Sequence, residues 1–442
     1  MNVTSSANPV TTGAQTGISR AARRIRWWIV SLLFLSTVIN YMDRQNLSIL
    51  ARTIQGDLHI SDIQYSNVVQ AFLLAYTLSY LVAGRLTDWL GARTSMAVFI
   101  VWWSVSDMMT SLSRSVWSLG AFRFLLGIGE PGNYTAAPKA VAEWFAPKQR
   151  ALVIGIYTAG ATLGATLAPP LIAFLASRFN WHTVFLCTGS LGLCWVVPWL
   201  WIYRRPEEHP AVSTEDLWLI RSGSEESEEV ASAGHPWISA LRSRETWLLT
   251  IARLMTDPVW YFYLFWFPKY LGDARGMTLI EVGRIAWIVY LAADLGCILG
   301  GMLSGKLIQR GLAPAASRVR IMGIAAVLLP LSPLVPYASS PLIAVLIGST
   351  AAFAHLAWQI SLSTLVVDLY PKRMVGTVFG IVAAGSGLGG MISTNLVGRL
   401  VTHYSYTPIF LFMGFLHPLA FLMIRSLRNR RPASVKRESL AG

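Results

Sequence analysis

Residues 27–50 read WWIVSLLFLSTVINYMDRQNLSIL, an apolar run interrupted by one acid–base pair, Asp43-Arg44. The run is long enough to cross a bilayer as a helix. A charge at the centre of such a helix costs roughly 2.5–3.5 kcal/mol on insertion scales, so two in a row must be paired, hydrated or used. The pair points to a membrane protein that handles a charged solute.

Working outward, the composition agrees. The chain is 442 residues long, 54% hydrophobic and 13% charged, with a mean hydropathy of +0.50. A soluble domain carries about 25% charged residues. The 18 Trp and 15 Tyr suit a protein with two membrane interfaces to anchor. Cys187, Cys194 and Cys297 fall inside apolar segments, without disulfide or metal spacing. The net charge of +14 does not imply nucleic acid, because the basic residues sit between hydrophobic runs. The N-terminus is a polar tail ending in Arg20, Arg23, Arg24 and Arg26, and no signal-peptide cleavage site follows the first run.

About twelve spanning runs are expected, near 27–50, 64–86, 94–113, 116–142, 149–176, 182–203, 246–271, 281–306, 319–338, 341–366, 373–401 and 405–426. The expected class is an all-α membrane protein of two pseudo-symmetric six-helix bundles. Its domains are a tail (1–26), a bundle (27–203), a central loop (204–245), a second bundle (246–427) and a tail (428–442). One side collects Arg85, Arg93, Lys148, Arg150, Arg204, Arg205, Lys306, Arg310, Arg318, Arg320, Lys372 and Arg373; the other holds few, such as Arg52, Arg114, Arg178, Lys269 and Arg275. By the positive-inside rule, both termini and the central loop are expected in the cytoplasm. A bacterial inner membrane fits this pattern.

The halves repeat. Pro147-Lys148-Gln149-Arg150 matches Pro371-Lys372-Arg373, and Gly160, Gly164, Phe185 and Gly189 fall on Gly385, Gly389, Phe410 and Gly414. Parallel six-helix repeats are a transporter architecture, with the substrate site near the midplane between them. In the same register Asp43 and Arg44 fall on Phe267 and Pro268, and Glu130 near His355. The first half is therefore expected to carry charge and coupling. The second is expected to supply aromatic and neutral polar contacts from Trp260, Tyr261, His355, Trp358, Gln359 and Ser386.

Between the second and third runs lies Gly84-Arg85-Leu86-Thr87-Asp88-Trp89-Leu90-Gly91-Ala92-Arg93. Here the chain resembles the major facilitator superfamily, whose loop signature has this Gly…Asp…Gly…Arg pattern. Glycines permit a tight turn and close helix approach. Gly84, Asp88 and Arg93 are the expected gating residues, with Asp88 latching one conformation. The second-half counterpart, Gly305 to Gly311, lacks the acid.

Asn40-Tyr41-Met42-Asp43-Arg44 and Arg123-Phe-Leu-Leu-Gly127-Ile-Gly129-Glu130-Pro131-Gly132-Asn133 resemble the anion:cation symporter branch, which imports organic acids with protons. Ala142-Glu143-Trp144-Phe145, Thr256 to Trp266, Ala292 to Gly296 and Gly387 to Met391 look closest to hexuronate transporters within it. The chain departs from that pattern at Glu130 to Tyr134 and at His355 to Ser361, where hydroxyls of a sugar acid would be read.

Arg123 and Glu130 are seven apart and share a helix face. Burial disfavours charge on Glu130 while a nearby cation favours it, so such a group can change protonation as a cavity opens and closes. The expectation is a proton-coupled symporter for an organic monocarboxylate, such as a hexuronate or aldonate. Arg44 takes the carboxylate, Tyr41 and Tyr76 line the hydroxyl-bearing side, Asp43 and Glu130 carry protons, and Arg123 holds Glu130. Coupling is expected by competition, the substrate drawing Arg44 away from Asp43. Sodium coupling, uncoupled carriage and a receptor on the same fold are the alternatives. No enzyme chemistry, cofactor, metal or obligatory protein partner is expected; the partners are the small anion, protons and the bilayer. Three further acids have plainer readings: Asp107 as hydrated near the outer end of the third run, Asp257 as neutralising Arg253, and Asp294 as coupling group or packed polar residue. An isolated His355 reads more simply as a hydrogen-bonded core histidine than as a proton carrier.

Overall fold

Within hydrocarbon every backbone polar group needs a partner inside the protein, and the helix supplies it within one segment. The computed structural model describes residues 18–145, 147–221, 236–370 and 372–429, and no strand occurs among them. The ends of both tails and the middle of the central loop lie outside the described residues.

The first span is Arg20–Ile49, prolonged by the short helix Ala51–Leu58. The second and third run through Asp62–Thr110 and part at Gly91, whose φ of 76° and ψ of 164° only glycine adopts without strain. The fourth is Val116–Gly129 and Pro131–Trp144, broken at Glu130 because Pro131 offers no N–H and crowds the preceding turn. Pro147–Arg178 and Trp181–Ile202 complete the first half. Thr214–Arg221 and Pro236–Arg242 are short helices of the connecting loop.

In the second half the seventh span is Arg244–Phe265 and Phe267–Asp273, broken before Pro268. The eighth is Leu279–Ile285 with Trp287–Gln309, and the ninth is Pro314–Leu328 with the 3-10 segment Leu329–Tyr337. Pro341–Leu369, Lys372–His403 and Thr407–Ile424 follow. Eight of these helices are long and apolar enough to cross a membrane as they stand. The other four of the twelve runs, the second, third, fourth and seventh, are those that share or contain a break at Gly91, Glu130 or Trp266.

The packing repeats as the sequence does. The first span packs on the fifth, the second on the fourth and the third on the sixth; the seventh packs on the eleventh, the eighth on the tenth and the ninth on the twelfth. Glycine makes the first of these matches possible. A Cβ on Gly160 or Gly164 would strike the carbonyl oxygens of Phe34 and Val38 in the first span. One on Gly385 or Gly389 would strike those of Thr250 and Leu254 in the seventh. These are the glycines the repeat register aligns, and small-xxx-small spacing lets the helices close. The halves meet where the second span touches the eleventh and the fifth touches the eighth.

The signature loop corrects one expectation. Gly84 faces open space, so close approach is not its reason, whereas Gly91 carries the turn; in the repeat, Gly311 (φ 91°) does the same. Arg93 donates to the carbonyl of Leu200, and Trp199 Nε1 donates to that of Arg93 at 3.0 Å, tying the loop to the sixth span. The side chain of Asp88 lies outside the described residues.

Candidate functional site: a buried ionic cluster at mid-span

An even number of spans puts both chain ends on one face, here the terminal face. Depth is counted from the opposite face. From the helix starts at Asp62, Val116 and Pro341, fourteen residues at 1.5 Å each reach Tyr76, Glu130 and His355, roughly 21 Å in. This is near the bilayer midplane.

Arg44 lies at the centre of the first half. Its Nε donates to Glu130 Oε2 at 2.9 Å and its Nη2 donates to the same oxygen. Its guanidinium carbon is 4.9 Å from the Tyr41 ring centroid, 4.7 Å from Tyr76 and 5.6 Å from Phe72. Glu130 is fully buried and its Oε1 has no hydrogen-bond partner. A cation within an aromatic cage that holds one acid oxygen can exchange that acid for another anion.

Tyr41, Arg44, Tyr76 and Glu130 therefore meet as the sequence suggests, but two partnerships differ. Arg44 pairs with Glu130 rather than with Asp43, and Arg123 pairs with Asp107 rather than with Glu130: its Nη1 is 3.2 Å from Asp107 Oδ1. Adjacent residues on a helix point about 100° apart, so Asp43 cannot follow Arg44 toward the fourth span. Asp107 is not hydrated; it is fully buried, with Asn46 Nδ2 and Thr188 Oγ1 each 3.0 Å from its Oδ2. Ser104, one turn before Asp107, lies against Gly192 of the sixth span, so this face of the third span is packed inward.

In the second half Trp260 lies parallel to His355 with ring centroids 6.3 Å apart, and Tyr261 Oη is 3.4 Å from Ser386 Oγ. Gln359 is half-buried. Trp358 is fully buried with its ring against His417. His355 is not isolated: its Nδ1 is 3.1 Å from His417 Nε2. Arg253 Nε donates to Asp257 Oδ2 at 2.7 Å, the expected neutralisation. Asp294 accepts from Thr162 of the fifth span, a link between the halves that no local pattern reveals.

A second ionic cluster closes the opposite face. Lys269 Nζ of the seventh span is 2.7 Å from Asp62 Oδ1 of the second and also pairs with Asp273. Arg52 Nη1 donates to the Gly272 carbonyl at 2.8 Å, and Tyr406 Oη to Asp273 at 3.0 Å. Below it, Tyr65 Oη donates to the Phe265 carbonyl at 2.8 Å and Gln70 Nε2 to that of Met391 at 3.3 Å. These links continue inward to Thr77, which faces Gly387. Among the described residues, no hydrogen bond or ion pair joins the halves nearer the terminal face.

Twelve spans in two repeated bundles, with an ionic cluster at their midst, are the architecture of a membrane transporter. The Major Facilitator Superfamily family model matches residues 33–394 and 316–442, and the chain belongs to that family. It is 31% identical to the hexuronate transporter of Escherichia coli (strain K12), over 94% of this chain and 96% of that protein. It is 35% identical to the galacturonate transporter of Dickeya chrysanthemi, over 63% and 81%. It is 30% identical to a probable galactarate/D-glucarate transporter of Bacillus subtilis (strain 168), over 88% and 89%. A solved bacterial homologue of the human lysosomal transporter Spinster shares the fold, with a TM-score of 0.65 at 20% identity, covering 94% of this chain and 95% of that one. These relatives are sugar-acid transporters of the superfamily, apart from the last, which speaks for the fold alone.

Proposed function

We propose that this protein imports an organic monocarboxylate, a hexuronate or aldonate, together with protons by alternating access. The observation that carries the reading is the Arg44–Glu130 pair inside the Tyr41, Tyr76 and Phe72 cage. Its relatives' names support the sugar-acid class.

The substrate carboxylate takes the guanidinium fork of Arg44, whose planar donors hold two oxygens at once. Glu130 then loses its partner. A carboxylate left unpaired at mid-membrane is costly, so Glu130 binds a proton. Competition for Arg44 thus falls on Glu130, and linkage makes it reciprocal: protons tighten substrate binding. Tyr41 and Tyr76 line the hydroxyl-bearing side, with Trp260, His355, Gln359 and Ser386 opposite. Asp43 is the second proton site, its carboxyl buried without a hydrogen-bond donor.

The terminal face is cytoplasmic, as the Lys and Arg distribution supports. A bacterial inner membrane suits it. The bundles 27–203 and 246–427 rock about the site, and the inter-half links described above support a form closed on the outward face. Gly84, Asp88 and Arg93 gate the cytoplasmic side.

The test is uptake by proteoliposomes containing only this protein, with proton and sodium gradients imposed separately. Accumulation of a hexuronate or aldonate driven by protons alone is expected. Accumulation driven by sodium alone, or binding without uptake, would sink the reading in favour of a sodium carrier or a receptor.

A further inference from the structure

The scheme above leaves one buried acid without a task. Asp107 is fully enclosed in the third span and contacts neither Arg44 nor Glu130. Both of its oxygens face donors: Arg123 Nη1 at 3.2 Å on one, Asn46 Nδ2 and Thr188 Oγ1 at 3.0 Å on the other. Such a set holds an ionised acceptor, because a proton on either oxygen would oppose a donor. Asp43 is its opposite. It too is fully buried, and neither of its oxygens has a donor from the rest of the protein. Asn46, one turn further along the first span, donates to Asp107, and Arg123 Nη1 lies 3.5 Å from the Asp43 carbonyl and 3.2 Å from Asp107, so Asp43 stands on the helix face that meets Asp107.

Two carboxylates in contact repel unless one proton lies between them, and then they form a short, strong hydrogen bond. The charges agree. Around this pair stand Arg123 and Glu130 on the fourth span and the neutral Tyr65 on the second, and Glu130 in turn pairs with Arg44 of the first span. With a proton on Asp43, two guanidinium groups balance Glu130 and Asp107. Without it, one uncompensated negative charge is enclosed at mid-membrane, the arrangement a bilayer protein avoids.

We propose that Asp107 is a positioning residue for proton coupling: its ionised carboxylate accepts the hydrogen bond that keeps the proton on Asp43, while Arg123 keeps Asp107 ionised. The inference rests on the proton-symport reading above. The step is a proton movement only, from solvent to Asp43 and back, with no bond to carbon made or broken. Removing the charge of Asp107 frees Arg123, already 3.5 Å from the Asp43 carbonyl, to pair with the Asp43 carboxylate. Asp43 then holds its proton less tightly.

The experiment is proteoliposome transport by the wild type, Asp107→Asn and Asp107→Glu, reading proton-driven accumulation, substrate counterflow and the pH profile of each. Asp107→Asn should keep counterflow, lose accumulation at neutral pH by at least about tenfold, and move its pH profile toward acid by about one unit. Asp107→Glu, which restores the charge, should return the wild-type profile. A wild-type profile in Asp107→Asn overturns the inference while leaving the symport reading intact. Equal loss of counterflow in both variants, with no shift in pH, overturns it in favour of a purely structural Arg123–Asp107 brace. A wild type that ignores proton gradients overturns both readings, and needs no variant to show it.

Discussion

At the residue scale, the group that holds Arg44 decides what the site can bind. The tripeptide Met42-Asp43-Arg44 marks a charged site in the membrane, and that much was legible. The partner was not, because sequence adjacency suggested Asp43 while helix geometry turns Arg44 toward Glu130 on another span. Asp107 was misread for a related reason: position along a helix suggests depth, but only its face decides burial. His417 was missed because each histidine stands alone in its own apolar span and only the fold joins them. Arg44→Ala should lower substrate affinity by at least about a hundredfold, since breaking a buried pair costs about 3–5 kcal/mol. Equilibrium binding of labelled substrate to purified protein checks this, and near-normal affinity would remove Arg44 from the site. Glu130→Gln should bind substrate at neutral pH as the wild type does in acid, with counterflow retained; loss of both would make Glu130 a packing residue.

At the element scale, eight of the runs are legible from apolar length alone, because a bilayer demands it. Breaks inside them were less so. Pro131 and Pro268 each split a span, placing Glu130 and Trp266 at the interruptions. The glycine register was readable and explains itself in contact: Gly160 and Gly385 each meet a carbonyl of the partner helix. Gly160→Leu and Gly385→Leu should each destabilise the protein by about 1–3 kcal/mol through overpacking. Gly155→Ala, whose Cβ meets nothing within 4 Å, serves as the control and should leave melting unchanged or slightly raised. Thermal melts in detergent compare the three. Equal melting of Gly160→Leu and Gly155→Ala would mean that the first and fifth spans are not held by that approach.

At the scale of the whole molecule, two clusters sit at different depths with different tasks. The mid-span cluster is the proposed binding site; the Asp62–Lys269–Asp273 cluster joins the halves at one face. The seal was invisible in the sequence, since Lys269 read as a stray cation on the side poor in positive charge. Buried to 5% exposure, it is held between two acids. Lys269→Gln leaves Asp62 and Asp273 facing each other and should shift the population toward the form open on that face by about tenfold, as roughly 1.4 kcal/mol would. Distances between spin labels at Gln64 and Thr278 report it; an unchanged distribution would relieve the cluster of any gating task. If substrate and Glu130 compete for Arg44, binding must draw a proton onto Glu130. Saturating hexuronate or aldonate is added to purified protein at neutral pH, and binding heat is compared in buffers of different ionisation enthalpy. Uptake of about one proton per substrate is expected in the wild type and close to none in Glu130→Gln. Binding with no proton uptake in the wild type, or with the same uptake in Glu130→Gln, would contradict it.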